Sequence, residues 1–213
     1  MNISAQQNYS HIDVKPVSGA LGAEIKGVDI SIPLDAEVVS EIRNALLKHL
    51  VIFFQNQVIS PQQQLNFAEQ FGIPMEYPQL KGLPDCPLVT EVIKLEHETL
   101  NFGGVWHSDT TYLQQPPMAS LLYAIEIPPY GGDTQWTNLA AAYNALSSAL
   151  QRFLEGLKGR HSFPKKYGEF VNNNMIISNH PLIRVHPETG ERVLYVSPGF
   201  LKSIVGLAPQ ESV

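Results

Sequence analysis

The chain has a single cysteine, Cys86, among its 213 residues. No internal disulfide can form, and without a second thiolate nearby Cys86 cannot anchor a thiolate zinc site, so it reads as a bystander. Basic runs are missing as well. With 14 Lys and Arg against 20 Asp and Glu the formal charge is -6, and nucleic acid is not an expected partner. Long apolar runs are also absent: no uncharged stretch approaches the roughly 18 residues that a membrane span needs. Residues 1–11 are polar and carry no apolar signal-peptide core. There is no internal repeat, low-complexity tract or linker. These absences predict one soluble, cytoplasmic domain over residues 1–213, without a membrane partner.

What the chain does have is 44% hydrophobic and 9% aromatic residues, enough for a packed core. A helix is expected over residues 35–48, where Val38, Ile42 and Leu46 recur on one face. Residues 50–54 read as a buried strand, followed by a polar turn at 55–57. Ser60 then opens a second helix: it can cap, Pro61 suits the first position, Gln63 completes a capping box, and Gly72 follows the last periodic residue, Phe71. Residues 77–101 are rich in Pro and Gly around one strand-like run at 88–95, the pattern of a long surface excursion. Further strands are expected around 105–112 and 120–127, punctuated by Pro116-Pro117, Pro128-Pro129 and Gly131-Gly132. Ser147 caps a third helix with Leu150, Phe153, Leu154 and Leu157 on one stripe and Gly159 as its stop. Beyond Asn174 strand and turn alternate through Val196.

The chemistry concentrates at Trp106-His107-Ser108-Asp109. Side chains two apart on a strand share a face, so one imidazole and one carboxylate converge. Joined by a second His from elsewhere, such a pair makes the 2-His-1-carboxylate triad of non-heme Fe(II) oxygenases, with open positions for a 2-oxo acid and O2. Thiolates would favour zinc or iron–sulfur chemistry and an all-oxygen set calcium or magnesium; this mixed set lies between them. Alone, His-x-Asp is a weak signal, since a His on a strand is more often a hydrogen-bonded structural residue. Thr134, after a Gly-Gly turn, reads on its own as a β-former.

Three segments taken together are specific. WHSDTTYLQQPPMASLLYAIEIPPYGGDTQWTNLAAAYNALS at 106–147, SPQQQLNFAEQFG at 60–72 and HPLIRVHPETGERVLYVSPGF at 180–200 closely resemble the taurine dioxygenase family of Fe(II)/2-oxoglutarate enzymes. The resemblance runs from about Val17 to the end. It implies a mainly β fold with flanking helices (α+β), a double-stranded β-helix or jelly roll. His107 and Asp109 match two catalytic iron ligands, and Thr134 matches the hydroxyl that hydrogen-bonds a carboxylate of 2-oxoglutarate. The substrate pocket falls at Tyr77, Gly103, Tyr167 and Phe200. Here the chain departs from the taurine enzyme, which has a His and an Asn where this sequence has Tyr77 and Gly103; a less polar or bulkier substrate than taurine is expected.

The resemblance further implies a second iron-binding His and an Arg for the far carboxylate of 2-oxoglutarate. Both lie beyond the position matched by Val213, so the jelly roll is expected to be incomplete on its C-terminal side. Residues 207–213 read as the opening turn of a helix. His180 and His186, each before a proline, match structural positions, and His97 and His161 read as ordinary polar residues. Unclosed sheet edges invite association, which leaves a homo-oligomer open. The implied reaction couples decarboxylation of 2-oxoglutarate to succinate and CO2 with hydroxylation of a small molecule. Halogenation is disfavoured because Asp109 keeps its carboxylate. The rival readings are a catalytically silent fragment that serves as a binding or oligomerisation partner, and a zinc hydrolase, for which no further His-rich motif is present.

Overall fold

The structure is a computed structural model that describes residues 9–78, 80–99, 101–163 and 176–212. They fall into two compact units, one drawn from residues up to Pro74 together with Leu121–Asn138, the other from Met75–Ser120 together with the chain from Leu139 on. Among the described residues eight short strands stand against four helices, a mainly β chain with a few helices, as expected. Among the described residues no helix is long and apolar enough to cross a membrane.

In the first unit β1 (Asp13–Pro16) pairs antiparallel with β2 (Ala23–Lys26), and β2 pairs parallel with β3 (Ile52–Phe54). Parallel neighbours need a crossover, and α1 (Ala36–His49) provides it. The four-residue apolar spacing of α1 buries Ile42 and packs Val38 against a core of Ile12, Ile25, Ile30, Ile59 and Phe67. Its end is closed by Leu50 at φ +67, whose N–H donates to the Leu46 carbonyl at 2.7 Å. Helix α2 (Pro61–Glu69) carries the capping box its sequence announces: the Gln63 N–H donates to Ser60 Oγ and the Ser60 N–H to Gln63 Oε1. It ends three residues short of Gly72.

In the second unit β5 (Ile177–Pro181), β4 (Lys158–Ser162) and β8 (Leu201–Ile204) form an antiparallel sheet in that order, and β6 (Ile183–Val185) pairs with β7 (Arg192–Leu194). A short helix, α3 (Leu139–Asn144), precedes α4 (Ser148–Leu154), which Ser147 caps through Oγ. Gly159 does not stop α4; it lies within β4, and Gly156 at φ +87 follows the helix instead. The α4 stripe is not a core face either, since Leu150 and Phe153 are exposed.

Three expected strands are irregular: 88–95, 105–112 and 120–127. Apolar alternation makes a strand only where a neighbouring backbone completes the ladder. Among the described residues none pairs with these stretches. At 110 the chain also turns: Thr110 sits at φ +47, and the Leu113 N–H closes back on its carbonyl at 2.9 Å.

Candidate metal centre

His107 and Asp109 meet although the backbone between them is not a strand. His107 Nε2 lies 3.1 Å from Asp109 Oδ1. The loop is held from a distance in sequence: the Ser108 N–H donates to Ser197 Oγ at 3.2 Å and the Gly199 N–H to the Trp106 carbonyl at 3.3 Å. The outer atoms of the pair are anchored as well. His107 Nδ1 donates to the Val105 carbonyl at 2.7 Å, and Ser120 Oγ donates to Asp109 Oδ2. Nδ1 is thereby fixed as the protonated nitrogen, leaving Nε2 directed at the carboxylate.

The electrostatics follow from the contact. Hydrogen bonding to Asp109 raises the pKa of His107 against the cost of burial, with the Val105 carbonyl adding to the rise. The same bond holds the Asp109 carboxyl below its ordinary range, and Ser120 lowers it further. The two side chains keep 27% and 38% of their surface exposed, so a ligand can reach them.

Whether a metal fits is a matter of spacing and room. Nitrogen and oxygen ligands at about 2.1 Å, set at right angles on one ion, lie about 3 Å apart. The observed separation is 3.1 Å. A ring nitrogen opposite the metal that donates to a carbonyl is the usual support of a ligating imidazole. Gly103 keeps the space open: a Cβ there would stand 3.1 Å from His107 Cε1 and 3.6 Å from Nε2, and its φ of +71 favours glycine. The donor set and its surroundings fit a divalent ion. Among the described residues no group of three or more His, Cys, Asp or Glu converges. His161 and His180 are buried elsewhere, 5.5 Å apart by ring centroid, with His161 Nδ1 2.8 Å from Thr111 Oγ1 and His180 Nε2 donating to the Leu113 carbonyl. His161, expected to be an ordinary polar residue, has no exposed surface.

Of the expected substrate-side residues, Gly103 and Phe200 stand against His107, the Phe200 ring edge-on at 6.1 Å. Tyr77 lies within the field of Asp109 and meets Phe102 edge-on at 6.2 Å. Tyr167 lies outside the described residues. Thr134 belongs to the first unit, exposed on an irregular stretch. Sequence reasoning missed Ser120, Ser197, Thr110 and Tyr112. Nothing local to these positions signals a role, because each acts through a contact the fold makes.

The profile of the taurine catabolism dioxygenase TauD, TfdA family matches residues 13–213. The chain belongs to this family. An alpha-ketoglutarate-dependent sulfate ester dioxygenase of Pseudomonas putida is 34% identical over 217 residues, spanning 94% of this chain and 71% of that protein. An alkylsulfatase of Acinetobacter baylyi is 32% identical and is covered to 71% of its length. The crystal structure of a taurine dioxygenase from Burkholderia xenovorans is 47% identical with a TM-score of 0.80, over 95% of this chain and 70% of that one. As a TauD, TfdA family member the chain is an enzyme of the alpha-ketoglutarate-dependent dioxygenase class, on the jelly-roll fold of its neighbours.

Proposed function

We propose that the chain is an Fe(II)- and 2-oxoglutarate-dependent dioxygenase that hydroxylates a small organic substrate with release of succinate and CO2, its two units being parts of one catalytic domain. The observation that carries this reading is the convergence of His107 Nε2 and Asp109 Oδ1 at 3.1 Å beside the open flank of Gly103. Bound Fe(II) would supply O2 activation and the oxidative decarboxylation of 2-oxoglutarate. The chain's residues hold and orient. His107 and Asp109 are the metal donors, kept in place by the Val105 carbonyl and Ser120. Thr134 takes the role of donor to a carboxylate of 2-oxoglutarate, on the resemblance of its segment. Tyr77, Gly103, Tyr167 and Phe200 border the substrate, and buried Phe200 shields the His107 ring from water.

Tyr77 and Gly103, in place of His and Asn, favour a substrate less polar or bulkier than taurine. Relatives named for sulfate esters and for 2,4-dichlorophenoxyacetate set the expected class: an apolar body carrying an acidic oxygen group. The test is an anaerobic visible titration of the chain with Fe(II) and 2-oxoglutarate. A saturable charge-transfer band, abolished in His107→Ala, is the expected result; a band that survives that substitution would remove His107 from the site.

A second reading is a binding or oligomerisation partner without catalysis. It is favoured by the absence, among the described residues, of a third ligating side chain beside the pair. Two donors fix a metal less well than three. Folded protein that gives no band under saturating Fe(II) and 2-oxoglutarate would select this reading.

A further inference from the structure

Two histidines reach the segment of the metal pair from strands that the reading above leaves without a role. His161 of β4 and His180 of β5 are both buried, their ring centroids 5.5 Å apart and each against the Tyr195 ring, at 6.0 Å and 5.6 Å. Each holds the turn that follows Asp109. His161 Nδ1 is bonded to Thr111 Oγ1 at 2.8 Å, and His180 Nε2 donates to the Leu113 carbonyl at 2.9 Å. The turn also closes on itself, the Leu113 N–H donating to the Thr110 carbonyl at 2.9 Å. Its first residue, Thr110, is β-branched and sits at φ +47, a conformation that persists only where the surroundings impose it.

Core filling does not account for this pair. His161 Nε2 is buried and has no hydrogen-bond partner among the described residues, a cost that an apolar side chain of the same size would not carry. That nitrogen faces Gly159, where a Cβ would stand 3.1 Å away, so nothing on its own side explains it. What His161 offers is the other nitrogen, on Thr111. Before Asp109 the loop is held by Ser197 and Gly199; after it, the two imidazoles supply the hold. We propose that His161 and His180 are positioning residues for the metal pair: they fix the strained turn after Asp109, and with it the direction in which Asp109 presents its carboxylate. The inference rests on the reading of His107 and Asp109 as metal donors, and extends it to two residues whose hydrogen bonds go to neither. A bound ion would sense their loss because the angle of the carboxylate changes while the number of donors does not.

The experiment uses the full chain with Fe(II) and saturating 2-oxoglutarate under anaerobic conditions. The charge-transfer band reports Fe(II) affinity by titration and, through its position, the geometry of the ligands. An Asn amide reaches the place of a histidine Nδ1 and a Gln amide the place of Nε2, each offering a donor and an acceptor. His161→Asn and His180→Gln should therefore bind Fe(II) as the wild type does, with the band unmoved. His161→Gln and His180→Asn should bind about tenfold more weakly and displace the band. Core filling demands another pattern: the larger Gln milder at both positions, and losses that follow the thermal melt. That pattern, or Fe(II) affinity unchanged in all four variants, would overturn the inference. Thr111 gives an independent pair should an imidazole replacement fail to fold. Thr111→Ser keeps the hydroxyl, whereas Thr111→Val keeps the shape and loses it. The valine variant should show the weaker, displaced band and the serine variant should not; equal bands in the two sink the idea. A wild type with a saturable band that every variant matches removes this inference alone and leaves the metal reading standing. A wild type without a band removes both.

Discussion

His161 is a buried imidazole with one polar atom satisfied and one not. Nδ1 is bonded to Thr111 Oγ1, whereas Nε2 has no hydrogen-bond partner among the described residues. The facing groups are His180 and Tyr195, with Arg184 over the Tyr195 ring, so a second positive charge on His161 would find no carboxylate among them. Burial, and to a lesser degree His180, pushes its pKa down to about 4. A depressed histidine stabilises the fold above its unfolded pKa of about 6.5 and loses that contribution as pH falls toward the folded value. Unfolding free energy should therefore drop by up to roughly 3 kcal/mol between about pH 6.5 and 4. Denaturant melts at steps of pH check this, and His161→Gln should flatten the decline; an equally steep fall in the variant would assign it to other groups. At this scale the sequence was informative about the metal pair and silent about the rest. His107 and Asp109 were readable because ligand chemistry restricts residue type and their spacing is short. Thr110 was not: a β-branched residue at φ +47 runs against its own preference, and only the surrounding fold imposes it. The burial of His161 likewise comes from tertiary packing that composition does not encode.

Elements whose signals are local were legible, and those that depend on partners were not. Helix α2 was placed by Ser60, Pro61 and Gln63, all within its first turn, and both capping bonds form. Asp35 precedes α1 in the same position, yet its side chain makes no cap bond. The two caps should thus differ under mutation. Ser60→Ala is expected to cost about 1 kcal/mol, whereas Asp35→Ala should stay within roughly 0.5 kcal/mol of wild type. Urea midpoints measured side by side would decide it, and equal losses would mean that the Ser60 bonds contribute nothing specific. The strands expected at 105–112 and 120–127 had the right composition, but a ladder needs a second backbone, which no window of sequence contains. His107 and Asp109 nevertheless converge, because Ser197 and Gly199 supply from afar the fixation that a strand partner would give.

At the scale of the whole molecule the unpaired stretch in the first unit has a physical consequence. Leu121 and Tyr123 pack on the core, with Gln64 donating to the Leu121 carbonyl at 3.2 Å and Tyr123 to the Gln57 carbonyl at 3.2 Å. The residues between and beyond them face outward: Leu122 is 71% exposed, Ile125 82%, Ile127 75% and Tyr130 88%. Four large apolar side chains within nine residues, on backbone without a ladder partner among the described residues, combine the two features that drive edge-to-edge association. Charge does not prevent it, since a net -6 is spread over the chain and within this run only Glu126 is charged. The 213-residue chain should therefore self-associate with rising concentration, and weakly scale with salt because the driving force is apolar burial. Sedimentation velocity across a hundredfold concentration range measures this directly. Replacing Leu122→Glu, Ile125→Lys and Ile127→Glu together should return the chain to monomer without lowering its melting temperature, because none of the three belongs to the core. A wild type that stays monomeric throughout would show that this surface does not adhere to itself, and a variant that associates as strongly would move the contact elsewhere on the chain.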